Sequence, residues 1–195
     1  MDSPLGSAVG NSLEVIESVE ILKGKTSGDL WTVCRELSCR MLMLAGIGDK
    51  DECGRLVDEA VESGEALKRF EMMVKLQGGD VSYIKDTSKF RKASFSREVY
   101  APADGYITHM DSEKIGLTAV LLGAGREKKD DDINHAAGII IAAKTGDFVK
   151  RGELLATLFA DDESRLDGAE SRYLSAVSIG DKKPAEQPMI LDYID

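Results

Sequence analysis

No stretch of this sequence stays apolar for the roughly 18–20 residues that a bilayer span requires. The longest candidate, GIIIAA at 138–143, reads as a buried strand. Basic charge is in deficit: 25 Lys and Arg stand against 35 Asp and Glu, for a formal net charge of −10. That balance favours solubility and argues against the electrostatic grip that nucleic acid or an anionic membrane requires, so neither is expected as a partner. Cysteine is sparse. Cys34, Cys39 and Cys53 form no CxxC pair and leave an odd thiol, which reads as reduced helix residues in a cytoplasmic protein rather than a disulfide framework. The only histidines, His109 and His135, have no carboxylate, serine or cysteine partner at a recognisable catalytic spacing. A signal peptide is missing too, because MDSPLGSAVGNSLEV has no basic region, apolar run or cleavage site.

What remains is an ordinary globular composition, 43% hydrophobic and 31% charged, able to bury a core. It has two textures. Residues 11 to about 77 read as four helices on short connections. Asn11 with Glu14 resembles a capping box, and Val15, Ile16, Val19 and Leu22 then form an apolar stripe that turns Glu14 and Glu17 away. Ser27 is the expected cap of the next helix, DLWTVCRELSCRMLMLAG, whose apolar residues are dense on more than one side and predict deep burial. Asp49 or Asp51 opens a third helix through Val61, and ALKRFEMMVKLQ makes a fourth that Gly78 and Gly79 end. From about residue 80 the pattern shortens. SREVYAPADGYITHM predicts two strands around a Pro-Ala-Asp-Gly turn. SEKIGLTAVLL predicts a helix, GIIIAAK, GDFV and ELLATLF strands, and 161–177 a charged helix. An edge strand is expected around Met189–Tyr193. The expected fold class is α+β, with residues 1–84 a helical layer and residues 85–195 a separate domain.

Isolated motifs carry little chemistry. Gly123-Ala124-Gly125-Arg126 lacks the last glycine of GxGxxG, lacks GK[ST], and follows a helix, so a structural turn is the better reading. Asp130-Asp131-Asp132 lacks the alternating ligands, central glycine and terminal Glu of a calcium loop, and reads as solvated. Arg126, Lys128 and Lys129 read as a surface charge cluster. YAPADGYI and GDFVKRGELLATL resemble the paired hairpin phrases of biotinyl and lipoyl carriers, whose fold is a barrel-sandwich. No Met-Lys-Met attachment site accompanies them, so carrier function does not follow.

Taken in order, PLGSAVGNSLEV, KLQGGD, APADGYI, LLGAGR with DDDINHAAGI, and GDFVKRGELLATLF resemble the C-terminal half of the pyrimidine-nucleoside phosphorylases, the thymidine phosphorylase family. The resemblance covers residues 1 to about 182. It implies that Met1 is an internal methionine, and that the chain is the C-terminal end of a central phosphorylase domain followed by a barrel-sandwich α+β domain.

It further implies reversible phosphorolysis of thymidine- or uridine-type nucleosides to base and pentose 1-phosphate, with a pyrimidine nucleoside and phosphate as the parent's ligands. The parent is expected to be a homodimer. The family's Lys-His-Ser-Thr-Gly-Gly phosphate loop and its base-binding Arg, Ser and Lys are absent from the 195 residues, so no catalytic residue is assigned and the chain alone is expected to be inactive. One site carries over: a monovalent cation, potassium, held by the backbone carbonyls of Leu5 and Ala8 and by the Glu17 carboxylate. On residues alone, a solvated Glu17 and a plain lead-in to a helix are the better reading; the intact family pattern favours the cation site. The competing expectation is a stand-alone binding or scaffolding module of the same fold.

Overall fold

The computed structural model describes residues 3–126 and 128–194. The chain is mixed helix and antiparallel sheet, an α+β fold, and its contacts divide it into two compact units. One gathers residues 1–15 with 90–186, the other 16–89 with 187–195.

Among the described residues the sheet unit is built on seven short strands: β1 (Ala8–Val9), β2 (Phe95–Tyr100), β3 (Gly105–Met110), β4 (Gly138–Ile141), β5 (Phe148–Val149), β6 (Leu154–Ala160) and β7 (Val177–Gly180). They form two open sheets, one in the order β1-β4-β6-β2 and one in the order β5-β3-β7. Pairing is antiparallel throughout, with Ile140 opposite Ala8 and Thr157, and Ile107 opposite Ile179. The helices α6 (Ser112–Leu122) and α7 (Ser164–Ala176) complete one shared core. Val99, Ile107, Met110, Ile115, Ile139, Leu155, Leu158, Leu166 and Tyr173 are fully enclosed in it. Alternation along β6 places Leu158 inside, as a half-buried strand pattern requires. Asp111 caps α6 by accepting from the Lys114 N–H, and Gly123 ends it in the left-handed conformation (φ 105°).

The predicted strands around Pro-Ala-Asp-Gly both form, but they do not pair with each other. β2 lies against β6, and β3 against β5 and β7. The turn switches the chain between sheets, anchored where the Asp104 carboxylate accepts from the Arg151 N–H at 2.7 Å. The strand expected around Met189–Tyr193 is absent; the final strand is β7, because β3 offers its free edge to residues 177–180 instead.

Residues 3–15, which the sequence boundary at 84/85 groups with the helices, fall with the sheets. β1 pairs with β4, 130 residues away, and the crossing is tight. A Cβ built on Gly138 (φ 149°) would lie 2.4 Å from the Val9 carbonyl oxygen, and one on Gly10 (φ 143°) 2.6 Å from that of Ala137. Gly10 precedes α1 (Asn11–Leu22), and its N–H donates to the Glu14 carboxylate at 2.9 Å. Asn11 is therefore helical rather than the cap, since its side chain is taken up elsewhere.

In the helical unit, α2 (Gly28–Leu44), α3 (Lys50–Glu62) and α4 (Glu65–Leu76) follow one another, then a four-residue α5 (Ser82–Lys85) and a 3₁₀ turn. Ser27 occupies the cap position of α2 without a side-chain bond, whereas Asp49 accepts from the Glu52 N–H and caps α3. Gly54 of α3 is buried below the Arg35 guanidinium, which clasps Asp58 with two bonds of 2.6 Å. The deep burial expected of α2 does not occur. Only Cys39 is enclosed, and Leu37, Met41 and Leu44 are 59%, 70% and 89% exposed, because among the described residues α3 is the one element packed extensively against α2.

Gly138→Ala is expected to destabilise the sheet unit by roughly 2 kcal/mol or more, since it combines a left-side φ with backbone overlap. Leu158→Ala is expected to cost about 2–5 kcal/mol through its cavity. Denaturant midpoints measure both.

Candidate functional site

The opening loop and the glycine-bearing loop 123–137 come together in the sheet unit. Pro4 and Gly6 are buried and Leu5 is half-buried, with Gly6 at φ 75°. The Ile141 N–H donates to the Ser7 carbonyl at 2.7 Å, and Ala8 lies opposite Ile140. In an antiparallel ladder successive carbonyls alternate in direction, so that of Ala8 is directed away from β4. The Lys144 ammonium donates to the Pro4 carbonyl at 3.0 Å, which puts a fixed positive charge on the turn just before Leu5. Leu5 and Ala8 thus share one unit. Glu17, half-buried in the second turn of α1, belongs to the other.

The start of α1 grips the second loop. The Asn11 amide donates to the Ala124 carbonyl at 2.9 Å, and the Ser12 N–H and hydroxyl both donate to the His135 carbonyl, at 3.1 and 2.5 Å. Gly123 to Arg126 is a turn leaving a helix, and Arg126, Lys128 and Lys129 are exposed. Asp131 closes its own turn by accepting from the Lys128 N–H. Both histidine side chains are exposed, and only the backbone of His135 takes part.

A staple unsuspected from the sequence fixes the far side of this loop. Asp161 accepts from Arg91 at 2.6 Å, from the Asn134 amide at 3.0 Å and from the Ser94 N–H at 2.8 Å. Asn134 in turn accepts from Arg91 at 2.5 Å and from the Ala136 N–H at 3.0 Å. These contacts join positions 27 to 70 residues apart, and polar residues in loops give no periodic signal of their partners. The one local cue is that Asn134 closes an Asx-type turn with Ala136. The Ser94 N–H, and next the Arg91 guanidinium, hold the Asp161 carboxyl below its ordinary value.

Among the described residues no three His, Cys, Asp or Glu side chains gather as a metal cluster, and no helix is long and apolar enough to cross a membrane. The geometry defines a small α+β domain whose two antiparallel sheets share a core and whose loops are held by backbone carbonyls and amide side chains. Residues 106–180 match the family described as pyrimidine nucleoside phosphorylase C-terminal domain. The chain is similar to the pyrimidine-nucleoside phosphorylase of Bacillus subtilis, with 41% identity over 165 residues, 84% of this chain and 38% of the relative. It is similar to that of Geobacillus stearothermophilus, with 34% identity over 192 residues, 98% of this chain and 44% of the relative. With that of Staphylococcus aureus it shares 37% identity over 182 residues, 93% of this chain and 42% of the relative. By these matches residues 106–180 carry that family's domain, and the chain as a whole is similar to the C-terminal portion of pyrimidine-nucleoside phosphorylases. It spans about two fifths of the length of these relatives.

Because Asp161 is held ionised by its partners, its stabilising effect is present above about pH 4 and is lost as pH falls toward its lowered value. Asp161→Asn is expected to flatten the acid limb of the stability curve, measured by denaturant unfolding between about pH 3 and 7. Parallel acid limbs in the two proteins would refute the staple.

Proposed function

We propose that this chain is the supporting C-terminal part of a pyrimidine-nucleoside phosphorylase. The parent reaction is reversible phosphorolysis of thymidine- or uridine-type nucleosides to free base and pentose 1-phosphate. Similarity to named phosphorylases over nearly the whole chain carries this reading. The chemistry needs one anion held beside C1′ and a second, developing on the base, to be stabilised, which is positional and electrostatic work. The phosphate-gripping KHSTGG phrase is not in the 195 residues. The chain therefore supports a site whose reacting groups lie on other residues of the parent, a homodimer of the cytoplasm.

Two stripes of the helical unit favour this over a stand-alone binding module. Leu37, Met41 and Leu44 of α2, and Met72, Met73 and Leu76 of α4, are exposed at helical spacing. Exposed apolar surface of this kind marks a face that another body covers.

The candidate cation ligands are oxygen donors only, two carbonyls and one carboxylate, which suit a weakly hydrated monovalent ion. On the family resemblance, Leu5, Ala8 and Glu17 are the residues proposed to serve the parent as potassium ligands, an ion that would supply positive charge. The Lys144 contact with Pro4 steadies the turn that carries the first of these carbonyls.

The purified chain is expected to show no thymidine or uridine phosphorolysis at saturating phosphate. Mixing it with a separately expressed N-terminal portion of the Bacillus subtilis relative is expected to restore turnover. Turnover by the chain alone, or none by the mixture, counts against the proposal. In the restored enzyme, Glu17→Gln is expected to raise the potassium needed for half-maximal activity about tenfold, equivalent to roughly 1.4 kcal/mol. Potassium titration at constant ionic strength measures it.

A further inference from the structure

From residue 181 to 194 the chain has neither helix nor strand, and Pro184 and Pro188 remove two backbone donors. Most of its apolar residues are open to solvent: Met189, Leu191 and Ile194 are 47%, 79% and 100% exposed, and Ile190 is half-buried. Yet from Gln187 onward the tail belongs with the helical unit.

Tyr193 makes side-chain contacts with that unit. The Arg40 guanidinium carbon lies 3.8 Å from the centre of the Tyr193 ring. The Lys50 ammonium lies 5.1 Å from the same centre and 3.5 Å from the Tyr193 hydroxyl. Cations this close to a tyrosine ring are drawn to its negative face. Glu36 orients both, with Oε1 at 3.0 Å from Arg40 Nε and 3.8 Å from Lys50 Nζ. Glu36 and Arg40 are one turn apart on α2, and Lys50 is the first residue of α3. A positive charge there opposes the helix dipole, so its placement is explained by its partners rather than by α3 itself. The Glu36 side chain is only 13% exposed, and Arg40 above all holds its carboxyl below the ordinary value.

We propose that the C-terminal tail is a strap and Tyr193 its latch, seated against Arg40 and Lys50, with Glu36 as the positioning residue for both cations. The chain passes between its two units near residues 15, 89 and 186. A partly exposed ring held by side chains alone opens and recloses far more readily than the helices beneath it. The contact thus holds residues 187–194 reversibly on the helical unit.

The test is NMR on the isotopically labelled full chain. In the unmodified protein, the Arg40 side-chain methylene protons should be shifted upfield by the ring, and the heteronuclear NOE of residues 191–194 should approach that of α2. Tyr193→Phe keeps the ring and is expected to retain both signatures. Tyr193→Ala and Arg40→Gln are expected to lose the shift and drop the NOE to that of an unrestrained terminus, with far-ultraviolet dichroism unchanged. A mobile tail in the unmodified chain, an ordered one in Tyr193→Ala, or a Phe variant as mobile as the Ala variant would each overturn the latch.

Discussion

Where β1 crosses β4, the backbones leave no room for a side chain at Gly10 or Gly138. Gly10 faces the Ala137 carbonyl and Gly138 faces that of Val9, both at distances that a methyl group could not tolerate. This close backbone approach is the constraint on which the sheet unit depends. It places the first helical turn of α1 next to loop 123–137, so that Asn11 and Ser12 satisfy the carbonyls of Ala124 and His135. Buried loop carbonyls need such partners, and here a helix from the opposite end of the sequence provides them.

The same economy recurs across the unit. Asp161 satisfies an arginine, an amide and a backbone N–H at once, and Asn134 relays two of those contacts back to its own loop. A carboxylate so placed rigidifies because every partner is satisfied. The helical unit uses charge differently. Arg35 with Asp58, and Glu36 with Arg40 and Lys50, tie α2 to α3 along one side, while the apolar stripe of α2 remains uncovered. Such a distribution suits a part that supports a larger enzyme, since the polar ties keep the helices in register without using up the surface available for packing.

Local pattern was a good guide to elements and a poor one to partners. The helix SEKIGLTAVLL begins and ends where its Asp cap and terminal glycine indicate, because capping is decided within a few residues. The strands Phe95–Tyr100 and Gly105–Met110 were equally legible, but the turn between them gave no sign that it separates two sheets. The apolar density of α2 suggested burial, although density records only what a helix could bury. The cation-site residues Leu5, Ala8 and Glu17 were legible solely through resemblance, whereas Lys144 and Asp161 left no trace at any fixed spacing and Asn134 only its turn with Ala136.

By itself the sequence determined the periodicities, the caps and the acidic balance, together with five ordered phrases that resemble one enzyme family. All of these are short-range properties, written in neighbouring residues. Only the tertiary structure decided that residues 8 and 9 form a strand with residues 139 and 140, that Asp161 serves the loop at 134, and that Tyr193 comes to rest on Arg40. Those pairings join distant residues through backbone shape and single polar contacts, which no local periodicity encodes.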